Sequence, residues 1–257
     1  MKFQIIYTLV YIAFFGIKYA GARTRHLFVS ADKKRKLHDF YTMTFHFYNL
    51  LTEKEKRKFL NRCYYITRGK KIKIGKEILH LKTDIEKLMV AAIAQVTFGY
   101  RDYELDTFPE IIISRSSFYS RLVKAEVKGL TLGNGRIFYS WEDFLEGYLH
   151  QNDKVNLAIH ELAHALYIEK FRGTEIEDWI EWQQHAMVFL KNKEAHNRDE
   201  YFRAYGLTNI SEFWAVNVEC FFEDPANFKA HFPHLYQGTA KLLKQDMALR
   251  KMTGQRA

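Results

Sequence analysis

The run His160-Glu161-Leu162-Ala163-His164 constrains this chain more than any other feature, because its spacing has a use only on a helix. A helix turns about 100° per residue, so positions i and i+4 lie one turn apart on the same face. Two neutral imidazoles placed that way fill two corners of one tetrahedral metal site, an arrangement that suits zinc. Glu161 cannot ligate the same ion from that face, but it can take a proton from a water at the open corner. Zinc lowers the pKa of such a water toward about 7, so the motif reads as a one-zinc site with a built-in base. The flanks at residues 156–159 and 165–168 are uncharged and helix-compatible, which points to a metal helix buried in a core. Asn152 or Asp153 is the expected N-cap.

A catalytic zinc needs a third protein ligand. A metzincin would carry Gly at position 167 and His at 170, where this chain has Tyr167 and Lys170, so that class is excluded. The alternative is a carboxylate from a second helix, the His₂Glu set of thermolysin-like enzymes. Residues 209–222 form a strongly apolar helical pattern carrying Glu212 and Glu219, seven apart and on one face. Glu212 also stands three residues after Asn209, the spacing of a capping box in which the Glu reaches back to the cap amide. Both readings stay open on the residues alone. Glu219, set among Phe and Trp, is a candidate ligand or a hydrogen-bonding partner of a metal-bound His. His185, His196, His231 and His234 are rival ligands without a supporting motif.

Four blocks carry a resemblance: AIAQVTFG at 92–99, SWEDF at 140–144, NLAIHELAHAL at 156–166 and SEFWAV at 211–216. Together they resemble the Mlc titration factor A family of zinc-dependent peptidases, and the likeness spans residues 41–249. The resemblance implies His160, His164 and Glu212 as the zinc ligands and Glu161 as the base. It implies Tyr205 as a donor to the developing oxyanion, with Tyr201 as the confounder four residues earlier. It also implies aminopeptidase action on a peptide substrate and a zincin-like core of the kind found in the catalytic domain of anthrax lethal factor. The acid that would hold a substrate's free ammonium is not singled out among Glu169, Glu175, Glu177, Asp178 and Glu219. The family further implies a second class of function, a regulatory protein that sequesters a transcriptional repressor controlling sugar transport.

Residues 3–17 are almost wholly apolar and are followed by Lys18, Arg23, Arg25 and the basic run 33–36. Three readings compete. A cleaved signal peptide has weak support in Lys2 and in Ala20-Gly21-Ala22. A membrane anchor needs about 20 residues, which positions 3–22 supply if Lys18 snorkels. A buried core helix of a soluble cytoplasmic protein fits the shorter run. Positive loops stay cytoplasmic, so the charges favour an inner-membrane anchor at residues 1–25 with the enzyme inside. The net charge of +9, with basic runs at 33–36, 54–58 and 68–73, is compatible with anionic lipid but reads mostly as solvated surface, the mixed-sign run 53–58 as an ordinary exposed helix face. No helix-turn-helix, zinc-finger or RNA-binding signature accompanies that charge, so nucleic acid is not expected as a partner.

With 257 residues, 47% of them hydrophobic, the chain can bury a substantial core without disulfides. Its two cysteines, Cys63 and Cys220, read as packing residues compatible with a reducing compartment. Helical patterns occupy residues 37–51, 53–67 and 84–97, the last capped by Thr83 and stopped at Gly99. Pro109 precedes the apolar run 110–113, and residues 127–132 pair with 136–139 across the turn Gly133-Asn134-Gly135. Strands ahead of the metal helix are the order of zincins, where a sheet edge holds an extended substrate. The expected fold is therefore α+β, a zincin-like metallopeptidase, mostly helical with a small mixed sheet preceding the metal helix. It forms one domain over residues 36–250.

Overall fold

Residues 30–192 and 201–254 are described in the computed structural model. The N-terminal apolar segment and His196 lie outside the described residues. Among the described residues, no helix is long and apolar enough to cross a membrane.

Helices α1 (Ala31–Thr44) and α2 (His46–Asn49) occupy the stretch expected as one helix over 37–51. Phe45 separates them with an extended backbone (φ −132°, ψ 95°) and a ring buried against Phe59 and Tyr148. Burying that aromatic surface outweighs the few backbone bonds lost at the break. Helix α3 (Glu53–Gly69) starts at a complete capping box between Thr52 and Glu55, so the mixed-charge run 53–58 forms its first turns.

The basic run 68–73 is partly paired. It continues into β1 (Lys71–Ile74), whose Lys71 and Lys73 lie 4.0 and 2.6 Å from one carboxylate oxygen of Glu110 on the neighbouring strand. Lysines on an end strand also discourage pairing with other chains. Helix α4 (Lys82–Val96) grows directly out of a 3₁₀ turn at Lys76–Leu81. Thr83 therefore does not cap it, because the helical path has already begun upstream. From Leu88 to Val96 α4 is buried all round, the mark of a central helix. Gly99 follows its end as expected, where a Cβ would stand 2.2 Å from the carbonyl of Leu243.

The sheet has the order β1-β2-β6-β5, built from β2 (Glu110–Ser114), β5 (Gly129–Leu132) and β6 (Arg136–Ser140) beside β1. Strands β1, β2 and β6 are parallel, and β5 runs antiparallel to β6 with Leu132 opposite Arg136, which makes the sheet mixed. The expected hairpin is present, but Val127 leaves it to join residues 125 and 126. They form β4 (Ala125–Val127), which pairs with β3 (Phe118–Ser120) in a separate two-stranded ribbon.

After α5 (Trp141–Leu149) the chain turns through left-handed backbone at Asn152 (φ 74°) and Lys154 (φ 66°), so no helix can begin there. The cap of α6 (Leu157–Leu166) is Asn156, whose Oδ1 accepts from the Ile159 amide at 3.1 Å while its Nδ2 donates to the Gly147 carbonyl at 2.6 Å. A π-helical turn (Tyr167–Phe171) and α7 (Glu177–Lys191) follow. Helix α8 (Ile210–Glu223) lies along α6, and the Trp214 indole donates to the Ala163 carbonyl at 2.9 Å. Prolines start α9 (Pro225–His231) and α10 (Pro233–Leu243), where a missing amide costs nothing, and α11 (Met247–Gly254) follows them. One buried cluster runs from Tyr41 to Met247, with Cys63 and Cys220 inside it as free thiols.

Candidate metal centre

Among the described residues, one group of His, Cys, Asp or Glu side chains is close enough to hold a cation. It is His160, His164 and Glu212, with one donor atom from each lying within 4.8 Å of the others. Helix α6 supplies the two histidines from adjacent turns, and their Nε2 atoms are 3.1 Å apart. Helix α8 supplies Glu212, whose Oε2 is 3.1 Å from His160 Nε2 and 3.3 Å from His164 Nε2. The cap half of the expected Asn209–Glu212 box is present, since Asn209 Oδ1 accepts from the amides of Ser211 and Glu212 at 2.9 and 3.0 Å. The Glu212 carboxylate turns to the imidazoles.

Both rings are held from behind. His160 Nδ1 is 3.0 Å from Glu219 Oε2, and His164 Nδ1 is 3.1 Å from Ser211 Oγ. A carboxylate only accepts, so with no cation present the His160 ring donates from Nδ1 to Glu219 and from Nε2 to Glu212; the Nδ1 bond is the one that would leave Nε2 as the ligating atom for a bound metal. Three atoms of metal-ligand type thus face one another in a partly buried place. The electrostatics follow. Burial pulls the His160 pKa down, yet the hydrogen bonds with Glu212 and Glu219 outweigh it and push it up to about 10. Burial likewise pushes Glu212 up, and the bonds with His160 and His164 overcome it and hold the carboxyl well below its usual range. The cluster attracts positive charge.

Glu161 leaves α6 on the side of the sheet, close enough to His164, His160 and Glu212 for their charges to act on it, and is 5% exposed. Its Oε2 accepts from Thr131 Oγ1 at 2.7 Å, and the same hydroxyl reaches its backbone carbonyl at 3.0 Å. Burial raises its pKa, with His164, His160 and the Thr131 bond pulling back. Gly129, two residues before Thr131 and on the same face of β5, gives the carboxylate its room, since a Cβ there would stand 2.5 Å from Glu161 Oε1. Real Cβ atoms do not come closer than 3.0 Å to such neighbours. Gly129→Ala is therefore expected to displace the Glu161 carboxyl and, where that carboxyl acts as the base, to lower kcat/KM about 100-fold, the cost of misplacing a reacting group by an ångström. Bound metal is expected to stay at the wild-type level. Wild-type turnover of Gly129→Ala would show that the position of this carboxyl is not critical.

Tyr205 sits in a 3₁₀ turn (Ala204–Leu207) just ahead of α8, with its ring 6.1 Å from that of His160 and 58% of its surface exposed. Its phenol pKa is raised, first by partial burial and then by the charges of Glu212 and Glu161. Gly206 lets this turn lie on α8, because a Cβ there would meet the Val216 side chain at 2.7 Å. Tyr201 is a packing residue. Its hydroxyl donates to Asp224 Oδ2 at 3.2 Å and its ring lies among Phe202, Phe228 and Phe232. The rival histidines stand elsewhere, His185 stacked on His234 at 5.0 Å and His231 bonded to the Asn227 carbonyl at 2.8 Å. Of the acids considered for an ammonium, Glu169 accepts from the Thr107 amide at 2.9 Å, and Glu175, Glu177 and Asp178 are exposed.

Gly129, Thr131, Ser211 and Arg203, which pairs with Glu219, escaped the sequence reading. The alternation of β5 offered one signal, a glycine and a threonine two apart and so on one face, in the strand expected to lie before the metal helix. The sequence model of a family described as glucose-regulated metallo-peptidase M90 matches residues 20–244. No functionally curated protein matches the chain significantly.

Proposed function

The chain belongs to the glucose-regulated metallo-peptidase family M90, and from that membership we propose a zinc-dependent peptidase with a zincin-like core. Its cation is held by His160, His164 and Glu212. One observation carries this reading. Donors bonded to zinc at about 2.0–2.2 Å in a tetrahedron stand about 3.3–3.6 Å from one another. The three separations here are 3.1, 3.1 and 3.3 Å. Two imidazole nitrogens and a carboxylate oxygen are also the donor set of catalytic zinc, which leaves a fourth position open.

When bound, zinc supplies Lewis acidity that lowers the pKa of water toward about 7 and polarises a peptide carbonyl. Glu161 takes the proton of the attacking water and passes it to the leaving amine, a task that its burial suits by raising its proton affinity. Tyr205 donates a hydrogen bond to the oxyanion, a role supported by its place beside His160 and by its exposure toward an arriving substrate. Among the described residues strand β5 ends the sheet next to Glu161, so an extended peptide can add to that edge. Aminopeptidase action belongs to this proposal on the family likeness alone. Anchoring of residues 1–25 at the cytoplasmic face of a membrane belongs to it on their charge pattern.

The purified protein is expected to carry one zinc per chain and to hydrolyse aminoacyl reporter substrates. A strong chelator is expected to remove metal and activity together, with zinc restoring both. Cleavage of free aminoacyl reporters, but not of N-acetylated ones, would establish exopeptidase action. A protein that takes up no transition metal overturns the proposal. A metal-loaded protein that captures a repressor yet turns over no peptide favours the regulatory reading.

A further inference from the structure

We propose that Glu219 is a positioning residue serving two parts of the site at once: its carboxylate orients His160 toward the cation and, through Arg203, holds the turn that carries Tyr205. This rests on the metallopeptidase reading above and goes beyond it.

Glu219 lies on α8 two turns after Glu212 and is 1% exposed. A carboxylate so deeply buried persists only when donors satisfy it, and three do. Its Oε1 accepts from the Asn156 amide at 2.8 Å, while its Oε2 takes His160 Nδ1 at 3.0 Å and the Arg203 guanidinium. The seven-residue spacing places Glu212 and Glu219 on the same face, so one helix grips the His160 ring at both nitrogens. Hydrogen bonding of a metal-ligating imidazole to a carboxylate fixes its tautomer and orientation and raises its basicity.

The second branch runs through Arg203. This residue begins the 3₁₀ turn that carries Tyr205, and its carbonyl accepts from the Gly206 amide at 2.9 Å. Tyr205 itself is mostly exposed, so its position depends on how the two ends of its turn are held. Gly206 against Val216 holds one end, and the Arg203–Glu219 pair holds the other. The same carboxylate therefore joins the metal helix, the second helix and the Tyr205 turn.

The two branches separate by substitution. Zinc affinity is measured by competition with a chromogenic chelator, kcat and KM are measured with zinc in excess, and thermal melting checks the fold. Glu219→Gln sets an amide group against one of the donors that the carboxylate accepts from, so zinc affinity is expected to fall about 10–100-fold and kcat to fall as well. Arg203→Met leaves the His160 bond in place. It is expected to keep zinc affinity within about threefold, to lower kcat about tenfold with little change in KM, and to be largely rescued by Arg203→Lys. A folded Glu219→Gln protein with wild-type zinc affinity overturns the first branch. Arg203→Met with wild-type kcat, or with zinc affinity as weak as that of Glu219→Gln, overturns the second, and this pair decides alone if Glu219→Gln does not fold. Wild-type protein that binds no zinc in the same assay would instead remove the underlying reading.

Discussion

Glu161→Gln is expected to yield a folded protein that retains its metal and turns over peptide about 10²–10⁴-fold more slowly, the usual contribution of a positioned acid-base group. The substitution keeps the size of the side chain, so the space left by Gly129 still accommodates it. The Thr131 hydroxyl can bond the amide as it bonds the carboxylate at 2.7 Å. None of the three clustered donors is altered, so metal content should not change. What disappears is the ability to accept a proton. The informative comparison is kcat/KM on an aminoacyl reporter at matched metal stoichiometry and matched melting temperature. Activity within tenfold of wild type would remove Glu161 from the role of base. Loss of metal would instead make the residue part of the binding set.

The second large effect concerns Glu212. Glu212→Ala takes away the oxygen that lies 3.1 Å from one imidazole nitrogen and 3.3 Å from the other, and leaves the two Nε2 atoms 3.1 Å apart with no anion beside them. Zinc affinity is expected to fall more than about 100-fold, beyond the 10–100-fold typical of losing a residue that only supports a ligand. Glu219→Ala is expected to stay inside that smaller range. Zinc retained after dialysis, followed by chelator competition, ranks the two variants. The reverse order would place Glu219, and not Glu212, in direct contact with the ion.

Much of the architecture was legible because it rests on local rules. The metal helix, the helix after Asn209, the helix that begins at Glu53 and the hairpin around Gly133–Gly135 all follow from side-chain periodicity and turn chemistry, which act over a few residues. The departures have tertiary causes. Phe45 abandons helical geometry to bury its ring, and the cap of α6 moves to Asn156 because the preceding residues turn through left-handed backbone. That Glu110 stands beside Lys71 and Lys73 was not legible, since a strand's partner is chosen across some forty residues of chain.

The candidate site divides in the same way. Spacing by itself determined that His160 and His164 share a face, that Glu161 stands off that face, and that Glu212 and Glu219 share another, because helical geometry converts sequence separation directly into angle. Only the packing of α8 on α6 decided which acid faces the imidazole Nε2 atoms and which stands behind at Nδ1. Only the sheet decided that a glycine and a threonine enclose the Glu161 carboxyl. Those outcomes turn on the relative position of elements distant in sequence, and no short-range pattern encodes a distance between two helices or between a helix and a strand.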